Sequence, residues 1–431
     1  LMGAIALARD NHVLAEVHLA RLVAANSKDL SAVKGLVEAR FNQNKLDEAV
    51  EVIEEALNSW PEDAELVSML GSIYVRQGKV EKGKELLSKA AKLNPGAVSV
   101  RTNLALAMLG SGDKQGAIAE LEKATEIESG VGKSDEILAL TLAQNGQFKK
   151  GFDVVTRIIE ANPTSARGYL LRGRIYLASG DNIQAQKDFQ QAIKLDSGYV
   201  EAKVFSGRLY LMEGVLDKAE AMFGHVLSAS PENLPAKLGM IDISRKKKDL
   251  KQYQVWLEKT YEMHPSEIQP SLLLIGEYIR QNEVVKALGV ARQLQQRHPK
   301  NVQTNKAYAE VLLRNKEFRR AEEYYQKLIR LQPESPEGYL LVADTRITAG
   351  EDKKALEIVK KGILKLKNNY TLMVKKTQLL NKLGEFEKAL GVAKKLQELF
   401  PKRPAGYVLE ADIYSRSGKL EKAVSLYQQS L

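Results

Sequence analysis

Apolar and small residues recur along this chain with the spacing of amphipathic helices. In residues 64–97 the series i, i+3, i+4, i+7 is filled by Val67, Leu70, Gly71 and Tyr74. This spacing places the four side chains on one face of a helix. It therefore predicts a helix that buries this face against the rest of the protein.

A second apolar series follows the first and predicts a second helix. In residues 166–199 it consists of Ala185, Phe189 and Ala192. A glycine between the two series, such as Gly180, tolerates a left-handed backbone and ends the first helix. Small residues in both series let the two helices approach closely, and a large side chain there would overpack the contact. The pattern is typical of helix–turn–helix units.

These units repeat every 34 residues, without insertion or deletion, from one end of the chain to the other. The prolines on this grid, which end the second helices, are Pro61, Pro95, Pro163, Pro231, Pro265, Pro299, Pro333 and Pro401. The alanines are Ala15, Ala49, Ala117, Ala185, Ala219, Ala287, Ala321, Ala355, Ala389 and Ala423. The glycines are Gly78, Gly112, Gly146, Gly180, Gly214, Gly350, Gly384 and Gly418. Three residue types in one phase indicate a stacked helical repeat, which forms extended binding surfaces.

The phase of the grid sets the domain organisation. Eleven full repeats cover residues 30–403, a partial repeat covers 1–29, and another covers 404–431. The full repeats start at Leu30, Ala64, Val98, Gly132, Ala166, Val200, Leu234, Ile268, Val302, Pro336 and Tyr370. We therefore predict an all-α array of about thirteen helix pairs.

Repeat 234–267 departs most from the pattern. Tyr253 stands at the alanine position, Ile241 replaces a small residue of the first helix, and Lys248 replaces the turn glycine. A tyrosine does not fit the alanine slot unless the helices move apart, so we expect altered packing here. Two interpretations stay open: a hinge or docking platform, or a degenerate repeat that repacked around its own aromatic residues.

The repeat resembles the tetratricopeptide repeat (TPR) family over the whole chain. The family pattern has a large residue at position 4, Leu at 7, Gly or Ala at 8, Tyr at 11, Ala at 20, Phe or Tyr at 24, Ala at 27 and Pro at 32. The resemblance implies a right-handed superhelix of antiparallel helix pairs. It also implies that the concave face, lined by first helices, binds a peptide or a partner protein.

Two stretches resemble a narrower group, the TPR lipoproteins of bacterial PEP-CTERM/exosortase systems. They are residues 1–19, which open Leu-Met-Gly-Ala-Ile-Ala-Leu-Ala, and residues 103–122 around Asn103-Leu104-Ala105. This resemblance implies a scaffold of an exopolysaccharide or protein-sorting assembly, periplasmic or anchored to the outer membrane by a lipidated cysteine outside this sequence. We read the chain as a fragment of a longer protein. Without this resemblance, the expectation is a generic cytoplasmic assembly factor.

Charge is spread unevenly over an otherwise ordinary composition. Residues 1–215 contain 26 Lys and Arg against 28 Asp and Glu, whereas residues 216–431 contain 38 against 26. The basic half could attract an anionic partner such as a polysaccharide; the alternative explanation is solvated helix faces. No nucleic-acid motif is present. The sequence contains no cysteine, which excludes thiol catalysis and cysteine-bound metal.

Candidate catalytic and cofactor motifs are weak. The stretch Gly130-Val131-Gly132-Lys133-Ser134 ends like a phosphate-binding loop, but Ile127 occupies the place of its first glycine. His264 and His298 share the repeat position before the proline, and no carboxylate recurs with them. We therefore expect no cofactor, no metal and no enzymatic activity.

Two sets of residues are candidates for partner binding on the concave face. The first is a basic series at repeat position 13, which faces the groove in the TPR family: Arg76, Lys246, Arg280, Arg314, Lys382 and Arg416. We call it the basic stripe. Its alternative interpretation is ordinary solvated surface.

The second set combines apolar residues at positions 5 and 12 with charged residues at position 9. It consists of Leu170, Arg174, Leu177, Val204, Arg208 and Leu211, and the same pattern returns at Leu340, Asp344 and Ile347. It could form an apolar groove with a polar rim, which suits an amphipathic partner helix. Alternatively, these residues pack between adjacent first helices. Overall we predict a non-catalytic protein-interaction scaffold, or alternatively a binder of an anionic polymer.

Overall fold

The computed structural model describes residues 2–128 and 130–430, which form 26 α-helices and contain no β-strand. Odd-numbered helices are the first helices of the repeats and even-numbered ones the second. The first fourteen are α1 Met2–Ala8, α2 His12–Ala25, α3 Leu30–Asn42, α4 Leu46–Ser59, α5 Ala64–Arg76, α6 Val80–Leu93, α7 Val98–Gly110, α8 Lys114–Ile127, α9 Lys133–Gln144, α10 Phe148–Ala161, α11 Ala166–Ser179, α12 Asn182–Leu195, α13 Val200–Met212 and α14 Leu216–Ala229. The others are α15 Leu234–Lys246, α16 Leu250–Met263, α17 Ile268–Arg280, α18 Val284–Arg297, α19 Val302–Arg314, α20 Phe318–Leu331, α21 Glu337–Thr348, α22 Asp352–Lys365, α23 Tyr370–Lys382, α24 Phe386–Leu399, α25 Ala405–Arg416 and α26 Leu420–Gln429. The all-α fold and the helix-pair count are confirmed.

The chain divides into two compact units, residues 1–226 and residues 227–431. The division falls inside α14, eight residues before the atypical repeat 234–267 begins. In the first unit the helices from α1 to α13 each pack against the next one along the chain, and in the second unit those from α15 to α26 do so. Each unit is therefore a stack of repeats, and its hydrophobic core is formed by contacts between neighbouring repeats.

The turn inside each repeat depends on one left-handed residue. Glycine takes this conformation where the sequence predicts it, for example Gly78 with φ of 80°. Other residues take the same place in repeats without the glycine: Asp10, Asn44, Lys248, Asn282 and Lys316, with φ between 54° and 62°. Asn and Asp tolerate this region better than most residues, whereas lysine is unusual there. The fold therefore imposes the turn even where the glycine is missing.

Small residues bring the two helices of one repeat close together. A Cβ built on Gly83 of α6 would lie 2.7 Å from the carbonyl oxygen of Gly71 in α5. In residues 166–199, the corresponding Ala185 is completely buried, and a Cβ on Gly173 would lie 3.2 Å from its carbonyl oxygen. Backbone therefore packs nearly on backbone at these positions, and larger side chains cannot be accommodated without a shift.

The atypical repeat keeps its two helices, α15 and α16, with the lengths of its neighbours. Ile241 and Leu257 are buried in its core, and the half-buried Tyr253 and Trp256 pack against the same cluster. The tyrosine lies at the border of the core instead of replacing an alanine inside it. Whether this repeat serves as a hinge or a docking site stays a prediction.

Candidate functional site: the first-helix face

First helices of neighbouring repeats contact one another directly, which makes them a shared surface. Such contacts join α1, α3, α5 and α7, and also α9 and α11, in the first unit. In the second unit they join α17 with α19, and α21, α23 and α25 in series. In the described part of the chain, no two neighbouring second helices make a contact of similar extent. We call the surface of the odd-numbered helices the first-helix face.

Every residue of the basic stripe is exposed and is the last residue of its first helix. A basic residue in the last turn interacts favourably with the partial negative charge of the helix C-terminus. The recurrence of basic residues at this position therefore has a local cause that requires no partner.

Members of the stripe also have contacts within the chain. Arg76 donates to the Phe41 carbonyl over 3.2 Å, and its guanidinium lies 4.6 Å from the centre of the Phe41 ring. Lys382 donates to Asp352 over 2.7 Å, and Arg314 pairs with Glu310 of its own helix over 3.4 Å. Arg280 donates to Glu277 over 2.9 Å. Arg280, Arg314 and Lys382 therefore each face a carboxylate.

The apolar candidates lie deeper than the groove interpretation requires. Leu170, Val204 and Leu211 are only 2%, 6% and 9% exposed, while Leu177 is half-buried. Leu170 belongs to a core cluster with Ala185 and Phe189. For these three residues, burial favours packing between helices, the alternative that the sequence left open.

The charged residues between them differ from each other. Arg174 is half-buried, with its guanidinium 5.2 Å from the centre of the Phe205 ring, and burial lowers its pKa from the ordinary value. Arg208 is exposed. The structure brings Arg174 together with Leu170 and Leu177 on α11, and Arg208 with Val204 and Leu211 on α13.

Ion pairs between neighbouring first helices recur at a spacing of 31 residues. Lys34 donates to Glu65 over 2.6 Å, and Lys375 donates to Asp344 over 2.7 Å. The pairs Arg167–Glu136 and Lys306–Glu337 have the same spacing. Sequence reasoning missed them, although opposite charges 31 residues apart on a 34-residue repeat are a readable signal. They use polar positions of the first-helix face to join adjacent repeats.

An open pocket of about 220 Å³ lies on this face across α3, α5 and α7. Its apolar part consists of Val37, Phe41, Met69 and Ile73. Glu38, Ser72 and Asn103 add polar groups. Concave apolar sites with few polar groups are typical of ligand recognition. Phe41 and Met69 do not stand out in the sequence, because both look like ordinary apolar helix positions.

Helix pairs at a fixed 34-residue period, each packed on the next, define a helical-repeat protein. Family models of the tetratricopeptide repeat match residues 68–130, 176–236 and 302–345, and a PPR repeat model matches residues 411–430. The matched stretches are therefore tetratricopeptide repeats. Proteins of this family generally act as protein-interaction scaffolds.

Curated relatives are similar over part of their length. The human protein O-mannosyl-transferase TMTC3 is 23% identical over 253 residues, which are 58% of this chain and 28% of that protein. Cellulose synthase operon protein C of Pseudomonas fluorescens is 25% identical over 238 residues, 50% of this chain and 18% of that protein. A TPR repeat-containing protein of Methanocaldococcus jannaschii is 22% identical over 312 residues, 68% of this chain and 49% of that protein. The chain thus spans less than a third of the first two proteins.

Solved structures with similar folds include a tetratricopeptide repeat protein from Parabacteroides merdae and yeast Tom70. The first is 17% identical with a TM-score of 0.46, covering 56% of this chain and 95% of that one. Yeast Tom70 is 18% identical with a TM-score of 0.40, covering 93% of this chain and 91% of that one. Among the helices described, none has the length and apolar character that a membrane crossing requires.

Proposed function

We propose that this chain is a non-catalytic scaffold that binds a protein partner on its first-helix face, with an apolar partner side chain in the pocket across α3, α5 and α7. The pocket itself is the observation that carries the proposal. Three consecutive first helices contribute to it, and the half-buried Phe41 and Met69 supply apolar contact next to Glu38, Ser72 and Asn103. A segment in the pocket would therefore contact three repeats at once.

A pocket-filling substitution tests this function. Ser72 is half-buried at the pocket, and Ser72→Trp should occupy the volume that a partner side chain would take. A displayed library of random twelve-residue peptides, selected on the parent chain, should yield peptides that bind Ser72→Trp at least tenfold more weakly. The control is Lys89→Trp at an exposed position of α6, which should leave binding unchanged. Equal affinity for parent and Ser72→Trp, or failure to enrich any peptide, contradicts the proposal.

We further propose that this scaffold works in a bacterial cell-envelope system linked to exopolysaccharide export or exosortase sorting. The support is the sequence of residues 1–19 and 103–122, and the name of one similar protein, a cellulose synthase operon protein. The corresponding location is periplasmic or anchored to the outer membrane. Genome neighbourhood and fractionation of the native host with an antibody test this. Recovery with the cytoplasmic fraction would instead favour a generic assembly factor.

The excess of basic residues in 216–431 favours a second candidate function, binding of an anionic polysaccharide. Charge-driven binding weakens as salt rises, because exposed charges are screened beyond about 8 Å at physiological ionic strength. Retention on immobilised alginate should therefore fall steeply between low and physiological salt. Retention on alginate that does not change with salt concentration would contradict this second function.

A further inference from the structure

Three consecutive turns of the second unit are unusually basic. They are residues 246–252, 280–286 and 314–320, each running from the last residue of a first helix to the third residue of the second helix. Together they contain ten Lys and Arg against three Asp and Glu. The same repeat positions of the three preceding repeats contain three against three, in residues 144–150, 178–184 and 212–218. The excess of positive charge is therefore specific to these three turns.

The packing of the repeats sets these turns side by side. Gln281 of the second turn donates to Gln254 over 3.1 Å, and Gln254 lies in α16 directly after the first turn. Helix α17, which ends in the second turn, contacts α19, which ends in the third. Equivalent turns of stacked repeats share one edge, because each repeat packs on the next. We call residues 246–252, 280–286 and 314–320 the turn edge.

Lys248 and Lys316 are exposed cations at equivalent positions of this edge. Within the described part of the chain, neither ammonium group forms an ion pair or a hydrogen bond. The acidic residues that follow them bind other groups. Asp249 accepts from the backbone N–H of Gln252 over 3.0 Å, and Glu317 accepts from the Asn315 side chain over 2.7 Å. The two lysines therefore offer their charge to a partner.

The backbone at both lysines is in an unfavourable conformation. Lys248 and Lys316 have φ of 58° and 62°, in the left-handed region. Glycine takes this place in other repeats of the same unit, for example Gly350. A side chain raises the conformational cost of this region, and glycine avoids that cost. Backbone strain at an exposed position is typical of functional sites, so the lysines favour a role beyond folding.

The turn edge also exposes apolar side chains among its cations. Leu250 is 59% exposed and Val285 is 80% exposed. Leu250 lies between Lys248 and Lys251, and Val285 is followed by Lys286. A surface that combines lysines with exposed aliphatic side chains is typical of segments that bind at a lipid interface. The edge therefore suits a partner that is both anionic and apolar.

We propose that the turn edge docks on an anionic membrane surface. Lys248 and Lys316 pair with lipid phosphates, and Leu250 and Val285 insert between the headgroups. Cations near an anionic bilayer each add to the attraction, and burial of aliphatic side chains adds to it further. An anionic polymer would satisfy the lysines but leave Leu250 and Val285 in water. The edge shares no residue with the first-helix pocket, so membrane binding leaves that pocket free for a protein partner.

Glycine substitutions separate binding from folding. Lys248→Gly with Lys316→Gly removes two cations and the cost of the left-handed backbone, so the melting temperature should stay at or above that of the parent. Co-sedimentation with vesicles of phosphatidylcholine and phosphatidylglycerol in about equal parts should show at least tenfold weaker binding. The control, Lys361→Gln with Lys394→Gln, removes the same charge from exposed positions of α22 and α24 and should weaken binding far less.

Three results of this experiment would overturn the proposal. The glycine double variant binds like the parent, both double variants lose affinity equally, or vesicles of phosphatidylcholine alone bind the parent as well as the anionic vesicles do.

Serine substitutions test the apolar contribution without any change of charge. Leu250→Ser with Val285→Ser should weaken vesicle binding at least fivefold, while retention on alginate stays the same. Leu364→Ser with Leu399→Ser, at exposed positions of α22 and α24 outside the turn edge, is the control and should bind vesicles like the parent. Unchanged vesicle binding by the first serine variant contradicts the proposal. Retention of the parent on alginate without vesicle binding would assign the edge to an anionic polysaccharide and overturn the membrane proposal.

Discussion

Arg280 donates hydrogen bonds to the carboxylate of Glu277, which lies one turn earlier in α17. Glu277 is only 5% exposed, and it also accepts from Gln281 over 2.6 Å. The hydrogen bond from Arg280 is the main cause that lowers the pKa of Glu277 below its ordinary value. The central residue of the basic stripe therefore stabilises a buried carboxylate of its own helix.

Glu277→Gln should lower the melting temperature at neutral pH, because Arg280 then loses its charged partner. The folded-state pKa of Glu277 is lowered, so its contribution is complete above the unfolded value of about 4.3 and is lost as pH falls through the folded pKa. The difference in melting temperature between parent and variant should therefore shrink below about pH 4. A difference that stays constant from pH 7 to pH 3 would show that the carboxylate charge contributes nothing.

The basic stripe should be tested by neutral substitutions. Replacing Arg280, Arg314 or Lys382 by glutamate would set two carboxylates together, since each faces Glu277, Glu310 or Asp352. The triple glutamine variant of these residues should bind immobilised alginate several-fold more weakly at low salt if the stripe supplies the attraction.

Three exposed lysines of second helices supply the control for that experiment. Lys251, Lys361 and Lys394 lie in α16, α22 and α24, and replacing them by glutamine removes the same charge from the other side. Their triple variant should retain most of the binding. Equal losses in the two triples would mean that net charge, not the stripe, governs the attraction.

The contact at Ala185 should not tolerate a large side chain. Ala185 is completely buried, and its carbonyl oxygen lies in the close contact with Gly173 of the preceding helix. Ala185→Trp should lower the free energy of unfolding by about 1–3 kcal/mol, or more if the helices cannot move apart. Lys187→Trp, at an exposed position of the same helix, should change little. Thermal melts of both decide this, and a neutral Ala185→Trp would show that the contact yields easily.

The helix pairs could be predicted from the sequence because each repeat contains the residues that define its own turn and helix contact. Proline, glycine and alanine on one grid mark the end, the turn and the close contact of most units, and nearest-neighbour packing needs little else. Even so, Lys248 and Lys316 adopt the left-handed turn without glycine. The left-handed backbone costs conformational free energy only at the lysine itself. The packing of the two flanking helices requires this turn and stabilises the whole repeat.

The candidate site was harder to predict, because apolar residues that line a surface pocket and apolar residues of the core recur with the same helical spacing. Val204 and Phe41 both occupy apolar positions of first helices, yet Val204 is buried and Phe41 lines an open pocket. The difference depends on the side chains of the neighbouring repeat. The same holds for Arg314 and Lys382. The sequence gives their charge but does not identify their ion-pair partners Glu310 and Asp352.

Lys237 of the atypical repeat is a buried cation in the second unit. It occupies position 4 of repeat 234–267, where the family has a large residue, and its side chain is completely buried. Its ammonium contacts the sulfur of Met263, and among the described residues no carboxylate forms a hydrogen bond or ion pair with it. Lys237→Met should therefore raise the free energy of unfolding by about 1–3 kcal/mol, because it removes a buried polar group that lacks a good partner. Lys251→Met, at an exposed position, is the control and should have little effect.

The effect of Lys237→Met should also depend on pH. Burial lowers the pKa of Lys237, the positive charge of Lys259 lowers it further, and Glu232 opposes the shift only in part. Between this lowered pKa and the unfolded value of about 10.4, the unfolded chain binds more protons than the folded one, so the stability of the parent rises with pH. The advantage of the methionine variant should be largest near neutral pH and should shrink as pH approaches about 10. Chemical denaturation at a series of pH values measures it, and an advantage that grows with pH would show that Lys237 is not buried as a charge.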